Sequence, residues 1–320
     1  MNVFLPTLSQ MGFLFSLIIL GYVLARFKCV PSNSAGVLSK LENNAFMPAL
    51  VCSTFLKNFN LKSLGDAWQY LVGGLAFVSV MIIIALLFSR LATKDSYLRN
   101  IYTYGLSFPN FAFMGNAIVS AIYPDVFMHY LIFVIPAWIA IYVWGVPYLL
   151  MPAHEKSGGM FSGLKNLANP MFIAMVVSMI LGLTGAAKFL PEFIYSTERD
   201  SVISVLGACM SPVAMLLTGM TIAKISLKSA FTSLKIYGVS LFRLIVIPLC
   251  VIGALILLPI PTDVKTCGLC FSAMPLGLNT IVVPAAYGKD TSVASSLALI
   301  SHLLSCITIP LVFMLYALTI

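Results

Sequence analysis

The chain has 320 residues, of which 60% are apolar or aromatic and 9% charged, with mean hydropathy +1.03. Ordinary soluble domains carry roughly 25% charged residues, so a soluble globular fold is excluded, and spans of ~20 residues each leave no room for a large extramembrane domain. The net charge of +8 comes from Lys and Arg scattered between apolar runs, not gathered into the stripe of a nucleic-acid binder.

Apolar runs between charged or turn-rich breaks predict ten helical spans, and the chain reads as an all-α polytopic membrane protein. The first five spans cover about 4–25, 34–56, 67–89, 100–123 and 126–150. The run at 4–25 is too long for a signal-peptide core and no basic residue precedes it, so it reads as a retained first span. A short polar connection at 151–168 follows, with His154, Glu155, Lys156, Ser157, Gly158 and Gly159. Five more spans cover about 169–190, 202–223, 230–258, 264–287 and 291–319. The domains are therefore a first five-helix repeat at 1–150 and a second at 169–320. An odd number of spans per half forces opposite orientations, so the repeat is inverted.

Cytoplasmic connections carry the excess of Lys and Arg. One alternating set of connections holds 11, namely Arg26, Lys28, Arg90, Lys94, Arg99, Lys156, Lys165, Lys224, Lys228, Lys235 and Lys289. The other holds 5, namely Lys57, Lys62, Lys188, Arg199 and Lys265. The first set is assigned to the cytoplasm, which leaves both termini outside. Lys40 and Arg243 fall within spans near cytoplasmic ends and are expected to snorkel to the surface. The seven cysteines lie mostly in apolar stretches, and Cys267 and Cys270, although spaced like a ligand pair, have no second pair and read as filler.

Prolines give independent support for the repeat. Pro48 and Pro212 fall in the second span of each half, and Pro109 and Pro275 in the fourth. A proline removes a backbone donor and clashes with the carbonyl one turn earlier. Freed backbone at membrane depth is tolerated only inside protein or against a wet cavity. Asn100 to Pro109 and Thr266 to Pro275 are nine steps each, or ~14 Å of helix, which puts both breaks near the middle of a ~30 Å core. The two spans run in opposite directions, so each break presents the start of its second half-helix at the same depth. Each start carries roughly half a positive charge, and together they suit an anion without any Lys or Arg.

Polar and small residues beside the breaks fit that task. Ser107, Asn110, Asn116, Ser272, Asn279 and Thr280 are able to donate to a carboxylate, and Gly115 and Gly277 allow close approach. Ser107, Ser272, Asn116 and Thr280 read first as glue between helices and second as substrate contacts. Asn110 and Asn279, beside their breaks, are the first choices for substrate contact. Asn44, in the second span, reads either as a site residue or as a helix contact. Glu42 is the only acid well inside a predicted span. His302 reads as a proton relay or as a satisfied packing group.

The stretches 107–116 (SFPNFAFMGN), 274–280 (MPLGLNT), 41–50 (LENNAFMPAL) and the end of the chain from Ser301 through Ser305 to Pro310 resemble the auxin efflux carrier family. Bacterial members of that family include malonate and malate transporters. The resemblance covers essentially the whole chain. It implies a fold similar to bile acid/sodium symporters, with ten helices in two inverted repeats and broken helices 4 and 9 crossing at Pro109-Asn110 and Pro275. It implies a scaffold of helices 1, 2, 6 and 7, a dimer through that scaffold, and a substrate held between scaffold and crossing. The middle connection is short, so the long regulatory loop of plant members and auxin itself are not carried over.

The expected function is a secondary carrier of small organic anions, mono- or dicarboxylates such as malonate or malate, in the plasma membrane, a bacterial inner membrane being the first choice, and no cofactor or metal is expected. A sodium-coupled symporter is the alternative, and a passive channel or a sensor comes after it; the candidate coupling ions are sodium and the proton. The motifs of intramembrane or serine hydrolases, His-Glu-x-x-His and Gly-x-Ser-x-Gly, do not occur, so no enzyme is expected.

Overall fold

The computed structural model describes residues 4–151, 170–197, 199–223 and 233–319. The described residues form helices and no strand. The connection expected over 151–168 lies outside them apart from Met151, as do Lys156, Lys165, Lys224 and Lys228.

In chain order the helices are α1 (Phe4–Arg26), α2 (Ser34–Leu41), α3 (Met47–Asn58), α4 (Leu61–Ala92), α5 (Ser96–Ser107), α6 (Asn116–Ile122), α7 (Phe127–Phe133) and α8 (Ile135–Ala140). Then follow α9 (Pro170–Thr184), α10 (Val202–Ile222), α11 (Leu234–Leu241), α12 (Ile247–Leu257), α13 (Thr262–Ala273), α14 (Asn279–Ala286) and α15 (Ser292–Thr319). Among the described residues, six helical stretches are long and apolar enough to cross a membrane: Phe4–Arg26, Ser63–Ala92, Phe127–Leu150, Val202–Ile222, Leu234–Leu257 and Ser292–Thr319. Phe111–Ile122 and Pro170–Thr184 are apolar but shorter. Large apolar side chains such as Ile83, Leu87, Ile180 and Ile307 are more than half exposed, which water would penalise and hydrocarbon does not.

Prolines explain most irregularities. A π turn at Glu42–Phe46 joins α2 to α3 just before Pro48, and another at Phe242–Val246 joins α11 to α12 just before Pro248. The wider turn absorbs the carbonyl that the proline ring displaces. A longer π stretch, Ile141–Leu150, contains Pro147. Pro212, by contrast, sits inside the continuous helix α10. Pro48 and Pro212, which the sequence pairs, thus differ in local structure.

Helices α1, α3, α9 and α10 pack as a group through small residues. Gly21 of α1 lies directly against the backbone of Leu216, and Gly219 of α10 against the Ile18 carbonyl, with the Tyr22 amide 2.7 Å from where a Cβ would stand. Gly182 of α9 meets the Phe59 carbonyl in the same way, at 2.8 Å. Glycine permits these backbone approaches, and van der Waals contact then holds the helices together where lipid offers no hydrophobic drive. Gly219→Val is therefore expected to abolish recovery of monodisperse protein. Gly12→Val, whose added atoms meet open space, is the control, and size-exclusion chromatography in detergent compares the two.

Candidate functional site

Two broken helices meet backbone to backbone. α5 stops at Ser107 and helix resumes at Phe111, while α13 stops at Ala273 and helix resumes at Asn279. Between the halves, Pro109 and Leu276 form an isolated antiparallel bridge, and the Asn110 amide donates to the Pro275 carbonyl at 2.7 Å. Gly277 makes the approach possible, since a Cβ there would lie 2.7 Å from the Phe108 carbonyl oxygen.

Each break creates a helix end and a helix start. The ends of α5 and α13 carry carbonyls without helical donors and partial negative charge. Arg243, in the π turn before Pro248, reaches three carbonyls at these ends: Nε donates to Met274 O at 3.1 Å, and the two terminal nitrogens to Leu106 O at 3.2 Å and Phe271 O at 3.1 Å. Its exposure is 0%. This corrects the expectation that Arg243 snorkels, because its guanidinium turns inward to carbonyls that helix breakage has left without donors.

The starts of the second half-helices point the opposite partial charge at a cavity of about 640 Å³. Pro109, Asn110, Gly277 and Asn279 line it on the crossing side, and Ser39, Lys40 and Asn43 of the α2 segment with Leu217 and Thr221 of α10 line it opposite. Tyr104, Phe108, Trp138 and Tyr142 supply aromatic walls. Lys40 is exposed and brings a cation to this cavity. A larger groove of about 790 Å³ between α4, α12 and α13 has almost wholly apolar walls and offers little to an anion.

Both asparagines are held by partners. Asn279 Nδ2 donates to the Tyr104 hydroxyl at 2.9 Å. His302 Nδ1 lies 2.7 Å from Ala298 O, and a carbonyl only accepts, so Nδ1 carries the proton and Nε2 accepts from Asn110 Nδ2 at 3.0 Å. Each amide nitrogen keeps a second hydrogen for a ligand. One residue earlier on α15, the Ser301 hydroxyl accepts from the Leu276 amide at 3.3 Å. Both breaks are thus braced by α15.

The other expected site residues lie outside the cavity lining. Pro275 is buried in the backbone contact itself, and Ser272 Oγ donates to Leu269 O within its own helix at 2.8 Å. Ser107 is buried, and its hydroxyl has no hydrogen-bond partner among the described residues. Asn44 Nδ2 donates to Lys40 O at 2.7 Å, and it is the neighbouring Asn43 that lines the cavity. Sequence reasoning missed Arg243, Lys40 and Tyr104. A lone cation in an apolar span, with no acid near it in sequence, was the available signal for Arg243.

A family profile for membrane transport proteins, the transport domain of the auxin efflux carrier family, matches residues 6–313. The chain belongs to that family. No curated protein shows significant similarity to it. Family membership and the long apolar helices together make it a multi-pass membrane transporter, and the cavity at the crossing carries the polar side chains of Ser39, Lys40, Asn43, Asn110, Thr221 and Asn279 on its walls.

Proposed function

We propose that the transporter is a secondary carrier for small mono- or dicarboxylates such as malonate or malate. The observation that carries this reading is the cavity faced by two half-helix starts, the amides of Asn110 and Asn279, and Lys40. Two starts of about half a positive charge each balance one carboxylate, and a cation at the rim suits a second. The cavity is bounded by the crossing on one side and by α2 and α10 on the other, so sliding or rocking of one group against the other exposes a bound anion to each side in turn.

The ten-span inverted repeat belongs to the same proposal. Its support is the pairing of α1 with α10 and of α3 with α9 through glycine. An axis relating the halves exchanges these two pairs and maps the crossing onto itself. The proposal places both termini outside, in a plasma membrane, with dimerisation through the α1, α3, α9 and α10 group.

Counterflow in proteoliposomes tests the function: vesicles preloaded with one acid at a time are assayed for entry of the labelled acid, with and without a sodium gradient. Exchange of malonate, malate or a related acid is expected. No exchange across the panel by folded protein contradicts the reading, and currents far above carrier turnover would indicate a channel.

Protons are the coupling ion that one observation favours. Glu42 is wholly buried, and neither carboxylate oxygen has a hydrogen-bond partner among the described residues. A buried acid so placed is a proton-binding group by its chemistry. Glu42→Gln is expected to keep exchange while losing accumulation driven by a pH gradient. Retained pH-driven accumulation would remove Glu42 from the coupling step.

A further inference from the structure

The two breaks make a four-ended arrangement. Two helix starts face the cavity, and two helix ends face Arg243. The ends together amount to about one negative charge, and a single guanidinium, always protonated in proteins, matches it. Its three hydrogen bonds go to Leu106 O from one broken helix and to Phe271 O and Met274 O from the other. These carbonyls are the kind of oxygen ligands that a coupling sodium ion takes from unwound helices.

We propose that Arg243 is a resident cation of the crossing, a positioning residue that occupies the carbonyl cradle in place of a metal ion. It ties the ends of the two broken helices to α11 and α12, so the crossing moves with that helix pair as one piece. It also screens the negative ends from an anion bound at the positive starts. The cradle then needs no sodium, and transport runs without it. The proposal deepens the carrier reading and relies on it only where exchange is measured.

Arg243→Gly, Arg243→Lys and Arg243→Met separate charge from packing. Thermal unfolding of each purified protein is followed in choline, sodium and low-millimolar guanidinium chloride, alongside exchange of the acid that the wild type transports. The wild type is expected to unfold at the same temperature in sodium and choline. Arg243→Gly should unfold at lower temperature and lose exchange, and guanidinium should restore both in a saturable way. Arg243→Met, which fills the space without charge, should not respond to guanidinium, and Arg243→Lys should retain part of the stability.

An Arg243→Gly protein as stable as the wild type overturns the proposal, as does one that guanidinium leaves unchanged. Should that variant not fold, the wild type decides: stabilisation specific to sodium would overturn the proposal, and its absence together with a folded Arg243→Lys protein would support it. The unfolding data stand even if no carboxylate is exchanged, so failure of the carrier reading is distinguishable from failure of this one.

Discussion

Asn110→Ala is expected to lower carboxylate exchange by about 10- to 100-fold, since a hydrogen bond to a charged group contributes ~1.5–3 kcal/mol and each 1.4 kcal/mol is tenfold. The side chain is 3% exposed, and one amide hydrogen is fixed on His302 Nε2. That contact sets the direction of the other hydrogen, so the ligand meets an oriented donor. Folding should change little, because the break is also secured by the Asn110 backbone amide on Pro275 O. Asn44→Ala is the comparison: its amide turns to Lys40 O, and exchange should stay near the wild-type rate. Equal loss in both variants would place the anion elsewhere.

Gly277→Ala is expected to abolish exchange and to lower stability by ~1–3 kcal/mol, the usual range for forcing extra volume into a packed site. The added methyl would stand 2.7 Å from the Phe108 carbonyl oxygen and 3.4 Å from that of Pro109. Backbone atoms cannot swing aside as a side chain does, so relief requires the two breaks to separate. Separation costs the hydrogen bond from Asn110 to Pro275 O and moves both helix starts relative to each other. Gly253→Ala in α12 meets open space and should leave thermal unfolding and exchange unaltered. Wild-type behaviour of Gly277→Ala would mean that the close crossing is unnecessary for transport.

The helical positions were legible in the sequence because apolar runs and proline breaks act over short distances. Pro109 and Pro275 each interrupt a helix near where the sequence puts the break. What brings the two breaks together is a backbone contact between residues far apart in the chain, and no local pattern encodes it. The partners of the asparagines are equally non-local: Tyr104 for Asn279, and His302 for Asn110. Both ring nitrogens of His302 are engaged, Nδ1 with Ala298 O and Nε2 with the Asn110 amide.

Arg243 shows a different failure. Its place in an apolar run gives a snorkelling cation the same sequence appearance as a buried one, and the choice depends on whether acceptors wait inside. Here they do, because the same prolines that open the cavity leave carbonyls without donors on its far side. The lone charge and the broken helices are two consequences of one arrangement.

The direct test of the central claim is equilibrium binding of the acid that exchanges fastest, measured by titration calorimetry on purified wild type and on the Asn110→Ala/Asn279→Ala double variant. Saturable binding by the wild type and none by the folded double variant is the predicted result. Binding of equal affinity by both proteins would contradict an anion site at the crossing.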